Sequence, residues 1–173
     1  MSLNGKGALT PRAAFLQQRP LQGNEKLVKL IRGNEFEAID RWDAFLAAGK
    51  GTLTEETAPS RHLAFSATWL RQLGIDPEQG ALVPIRDDAM APTLRAGDLV
   101  MADRNRAEAI SGRVYAYEDR DGTVRTRRLE RFPTQIVLRA DNPAHQTEIR
   151  SGADMDTFYD EIIGEVVWSC RTW

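Results

Sequence analysis

Residues 86–103 read Arg86-Asp87-Asp88-Ala89-Met90-Ala91-Pro92-Thr93-Leu94-Arg95-Ala96-Gly97-Asp98-Leu99-Val100-Met101-Ala102-Asp103. A polar, turn-rich stretch containing Pro92 and Gly97 opens directly into an apolar run, the pattern of a loop feeding a buried strand. Outward from this point the chain keeps to short apolar segments separated by turn residues. Strands are expected at 81–85, 99–102, 113–118, 123–129, 135–140 and 162–170. Asp121-Gly122, between two of them, is a tight-hairpin signal, because both residue types tolerate positive φ. Upstream, a short helix is expected from Ser66 to Leu73, with Ala67, Thr68, Trp69 and Leu70 as its apolar part and Gly74 ending it.

The first third reads differently. Thr10-Pro11 begins a helix with a hydroxyl cap and a proline in its first turn. Asn24 caps a second helix through Leu27, Val28, Leu30 and Ile31, which Gly33-Asn34 closes. Phe36, Ile39, Trp42, Phe45 and Leu46 predict a third helix, with Gly49 just beyond it. Residues 50–61, rich in Gly, Thr, Glu, Pro and Ser, have a linker composition. The expected organisation is α+β: a small helical segment at 1–49, a linker at 50–61 and a mainly antiparallel β domain at 62–173.

Composition bounds the function. The 173 residues carry 42% hydrophobic and 28% charged side chains, as an ordinary globular protein does. One cysteine, Cys170, excludes an internal disulfide and fits a reducing, cytoplasmic setting. No run of 18 apolar residues is present, so no membrane partner is expected. Between Lys6 and Arg32 six bases face one acid, a local excess of +5 that leaves −7 for the remainder of a chain whose net charge is −2. A basic end on an acidic body suits contact with phosphates, and equally suits a solvated helix surface. His62 and His145 stand without clustered cysteines or carboxylates at ligand spacing, so neither a metal nor a cofactor is expected.

The segment quoted first resembles the nucleophile region of the LexA and phage-repressor family of self-cleaving regulators. Met90, Pro92, Thr93, Gly97 and Asp98 fall on that pattern. Further matches follow in order: residues 62–70, Ser111-Gly112-Arg113-Val114-Tyr115-Ala116-Tyr117, Arg139-Ala140-Asp141-Asn142-Pro143 and Ile163-Gly164-Glu165-Val166-Val167-Trp168. The resemblance covers 62–173 almost continuously and implies a LexA and signal-peptidase-like fold that also pairs subunits into a homodimer.

The same resemblance assigns the catalytic positions. The serine nucleophile of active members falls on Ala89, and the lysine that acts as its general base falls on Arg127. A methyl group cannot attack a carbonyl, and a guanidinium with a pKa above about 12 cannot accept a proton. Asp87 stands where the family has glycine, and an Asp87–Arg127 ion pair is expected in the vacated site. The enzyme reading is therefore negative: a peptidase fold without its dyad. One alternative is a self-cleaving serine autopeptidase carrying an engineered Ser-to-Ala change at position 89. For it the family's cleavage bond would be Ala48-Gly49, although Gly49 also serves simply as a helix stop.

Residues 8–14 and 23–33 resemble, more weakly, the second and third helices of a phage-repressor helix-turn-helix, with the first helix missing or truncated. In such a motif the second helix enters the major groove. Asn24 and Lys26 would approach bases, while Lys29 and Arg32 would meet phosphates. The function implied is a phage-repressor-like transcriptional regulator that binds DNA as a dimer. Relief of repression would then require an antirepressor, a RecA-like partner or another protease. A dimerisation-only interaction module remains the other alternative.

Overall fold

Gly80–Pro84 is buried along nearly its whole length and forms one edge strand of a seven-stranded antiparallel sheet. The computed structural model describes residues 35–41 and 62–172. In chain order the described elements are β1 (Phe36–Asp40), β2 (His62–Ser66), α1 (Ala67–Leu73), β3 (Gly80–Pro84), β4 (Leu99–Asp103) and β5 (Val114–Glu118). There follow β6 (Val124–Phe132), β7 (Gln135–Arg139), β8 (Glu148–Ser151), α2 (Ala153–Glu161) and β9 (Ile162–Cys170). The large sheet has the order β3-β4-β9-β5-β6-β7-β8, and β1 pairs with β2 in a separate ribbon. The mainly antiparallel β architecture expected for the second part of the chain is present.

Local signals placed several elements well. Gly74 adopts φ 69° after α1, and the Ile75 N–H reaches back to the Leu70 carbonyl at 3.0 Å, satisfying helix-end acceptors. Gly122 at φ 76° turns β5 into β6, where Asp121 Oδ1 accepts the Thr123 N–H at 2.9 Å. These Thr123 hydrogen bonds hold the Asp121 carboxyl down to about 2.

Residues 36–40 correct the sequence reading. The helix expected from Phe36 is a strand at its start: Phe36–Asp40 pairs antiparallel with His62–Ser66, with Ile39 opposite Leu63. Phe36 and Ile39 fit a helical period, but a partner strand supplies the backbone hydrogen bonds, and tertiary pairing outweighs a short periodic signal. Ile39 is fully buried with Leu70, Ile75, Leu82 and Met101. Gly80 makes room for it, since a Cβ there would meet Ile39 Cδ1 at 3.0 Å. The remainder of the expected helix, the linker 50–61 and residues 1–34 lie outside the described residues.

Asp154, Asp156, Asp160 and Glu161 lie on α2, a helix outside the strands expected from the sequence, whose Phe158 is completely buried against Tyr117 with ring centroids 5.1 Å apart. Asp154 and Asp156 occupy the first turn, where acids complement the helix dipole.

β9 joins the cores. Ile163 packs with Met90, Leu94, Val100 and Ala116 on one face, while Ile162 packs with Tyr115, Tyr117, Leu129 and Phe158 on the other. Its passage beside β4 leaves no room at Gly164, where a Cβ would lie 2.6 Å from the Asp103 carbonyl carbon. Gly164→Ala is accordingly expected to lower unfolding free energy by about 1–3 kcal/mol through overpacking. Urea titration of the two proteins measures it, and equal midpoints would contradict the steric account.

Candidate functional site

The loop between β3 and β4 is pinned at its base. The Ile85 N–H donates to the Asp98 carbonyl at 2.8 Å, and the Gly97 N–H returns to the Ile85 carbonyl at 2.9 Å. Met90 and Leu94 are the apolar anchors of the loop, buried in the core cluster with Val83 and Val100. The Ala91-Pro92 peptide is cis. Ala89, between the two halves of this loop, is fully buried.

Three polar braces hold the loop from distant parts of the chain. Asp98 is gripped by Arg171, with Nε and Nη2 each 2.6 Å from a carboxylate oxygen, and also accepts the Arg95 N–H at 2.8 Å. Asp141 takes a two-pronged contact from Arg128 at 2.8 and 2.6 Å and accepts the Thr93 hydroxyl at 2.6 Å. Asn142 donates its backbone N–H to the Ala89 carbonyl at 2.9 Å and its amide to the Asp88 carbonyl at 3.0 Å, while His145 Nε2 lies 2.7 Å from Asp88 Oδ1. Guanidinium forks of this kind are strong because two parallel charge-assisted bonds share one geometry. Each holds its carboxyl below the ordinary value: Asp98 through Arg171, Asp141 through Arg128.

Arg127 comes from β6, opposite Tyr115 on β5. Its side chain is 5% exposed. Nη1 donates to the Thr126 carbonyl at 2.7 Å and lies 3.5 Å from Asp87 Oδ2, whereas Nε is buried without a hydrogen-bond partner. Asp87 Oδ1 meanwhile accepts the Ala89 N–H at 3.1 Å. Asp87 thus links the two positions singled out in the sequence, and its ion-pair distance to Arg127 lies at the long end of such contacts. An alanine methyl and a protonated guanidinium offer neither a nucleophile nor a proton acceptor. Beside them, a shallow open depression lies between residues 83–87 and 124–126.

Comparison of the sequence with known proteins identifies its family. A model of the family described as peptidase S24-like matches residues 42–167. The chain belongs to the peptidase S24-like family. It is also 28% identical over 158 residues to a protein named repressor protein CI, from Enterobacteria phage phi80. That match covers 90% of this chain and 60% of the phage protein, so the chain spans about three fifths of its relative's length. The S24-like assignment bears out the LexA and phage-repressor resemblance carried by the residues around Met90, Asp98 and Asp141.

Asn24, Lys26, Lys29 and Arg32, expected to contact DNA, lie outside the described residues, as does Ala48-Gly49. Arg171 and His145 were missed as braces of the S24-like loop; their partners lie 73 and 57 positions away, and no local pattern announces them. Among the described residues no group of three or more His, Cys, Asp or Glu is arranged to hold a metal, and no helix is long and apolar enough to cross a membrane.

The downward shifts at Asp98 and Asp141 have a definite sign. Stabilisation from a depressed carboxyl is fully present above its unfolded value of about 4 and is lost as pH falls through the folded one. Glu118 and Glu161 shift upward through burial and act in the opposite sense, but they are common to wild type and variant. The stability gap between wild type and Asp98→Asn/Asp141→Asn should therefore be constant near neutrality and narrow below about pH 4. Thermal unfolding between about pH 2.5 and 7 reads this directly; a gap that widens on acidification would contradict it.

Proposed function

We propose that the protein is a phage-repressor-like transcriptional regulator that binds DNA as a dimer and whose S24-like domain does not cleave itself. The observation that carries the non-cleaving part is the Asp87 carboxylate lying between the Ala89 backbone and the buried Arg127 guanidinium. Family membership and similarity to a phage repressor support the regulatory part. Ala89 occupies the position of the family's nucleophile and Arg127 that of its base, both without the required chemistry.

In this reading Asn24 and Lys26 face bases, Lys29 and Arg32 face phosphates, and pairing of two subunits presents two reading helices to a two-fold site. Relief of repression comes through an antirepressor or another partner, not through self-cleavage.

Two experiments test the proposal separately. The purified chain should bind DNA from upstream of its own gene, and Lys26→Ala/Lys29→Ala/Arg32→Ala should weaken binding at least about tenfold. The logarithmic salt slope should fall by roughly two, about one for each of the phosphate contacts of Lys29 and Arg32 removed. Binding no better than to random DNA would leave an interaction module as the surviving description. For the peptidase part, Ala89→Ser alone should stay intact through alkaline incubation, because Arg127 still cannot take the hydroxyl proton. Fragments from that single variant, seen by mass spectrometry, would return the protein to the autopeptidases.

A further inference from the structure

β8 is the last strand of the seven-stranded sheet, and among the described residues nothing pairs with its outer edge. Its sequence is Glu148-Ile149-Arg150-Ser151. Arg150 and Glu148 point to the side where α2 packs; Arg150 is nearly buried, 3.0 Å from Asp119 and 3.1 Å from Glu148. Ile149 points the other way and is 59% exposed, beside Val137 directly across the ladder. Phe132, at the end of β6 on the same face, is 44% exposed. Two exposed apolar side chains, on a face that also carries the Glu130–Arg139 ion pair, therefore adjoin an open edge.

Natural sheets guard open edges with charges. Here the charges are arranged so that one partner is not repelled, namely another β8. A two-fold axis through Ile149 sets Glu148 of each strand opposite Arg150 of the other, on both sides of the axis. Ile149 then faces Ile149. A one-residue shift of this register would set Glu148 and Arg150 opposite uncharged residues, and a two-residue shift would set like charges opposite each other, so the pattern selects a single alignment.

We propose that a second copy of this chain docks here, β8 against β8 in antiparallel register centred on Ile149, making one sheet of two seven-stranded halves. This rests on the dimer in the function proposed above and assigns its surface. Opposite Cα atoms in such a ladder lie about 4.5–5.5 Å apart, within the range a disulfide spans.

The test uses the full chain in a Cys170→Ser background, which removes the native thiol. Ile149→Cys should oxidise to a covalent dimer at least about tenfold faster than Arg139→Cys, an exposed control one strand away. Independently, Ile149→Lys should raise the dimer dissociation constant at least about tenfold in sedimentation equilibrium, with an unchanged melting temperature showing an intact fold. A dimer that survives Ile149→Lys, with no preferential link at position 149, overturns the surface and leaves the dimer standing. A chain monomeric throughout the concentration range overturns both.

Discussion

The close passage of β9 past β4 at Gly164 is the constraint on which the rest of this molecule depends. Only a residue without a side chain fits beside the Asp103 backbone, and next to it the register between β9 and β5 shifts, between Ala116 and Tyr117. With β9 seated in that way, Ile162 and Ile163 enter different cores, and Trp168 reaches a third cluster with Phe65 and Trp69. Arg106 reinforces the corner: its carbonyl accepts the Glu165 N–H at 3.1 Å and its guanidinium lies 3.1 Å from Asp103. The loop that carries Ala89 inherits its position from this arrangement, because Met90 and Leu94 pack on the face that Ile163 helps to build.

The polar architecture around that loop is notable for where its charges lie. The well-formed ion pairs are those that hold the loop, Asp98 with Arg171 and Asp141 with Arg128. The pair at the centre, Asp87 with Arg127, is longer and leaves a guanidinium nitrogen without an acceptor. Burying an arginine with incomplete hydrogen bonding costs free energy that the surroundings must offset. The surrounding braces, one of them to the Ala89 backbone carbonyl, and the apolar anchors Met90 and Leu94 supply that offset.

Much of this was readable from the chain because the signals were local. Gly74 and Asp121-Gly122 specify their turns through positive φ, and the runs at β4 and β9 contain enough apolar residues to declare themselves. What escaped depends on partners far away. Phe36–Asp40 becomes a strand only because His62–Ser66 lies beside it, and Glu148–Ser151 is too short and polar to be recognised without β7. The helix Ala153–Glu161 carries an apolar spacing in Met155, Phe158 and Tyr159, but it is short and interrupted by acids, so the spacing is weak on its own. At the site, Met90, Thr93, Asp98, Asp141 and Asn142 were visible as a motif, whereas the grip of Arg171 on Asp98 spans 73 residues and has no sequence signature.

The sheet order has a consequence for how the protein folds. β9 follows every other described strand in the chain, yet it lies in the middle, between β4 on one side and β5 on the other. Without it the sheet would be two separate pieces, β3 with β4 and β5 through β8, each with an open inner edge. Closure therefore waits on a pairing between segments far apart in sequence, a topology that folds slowly and leaves strand edges exposed to aggregation in the meantime.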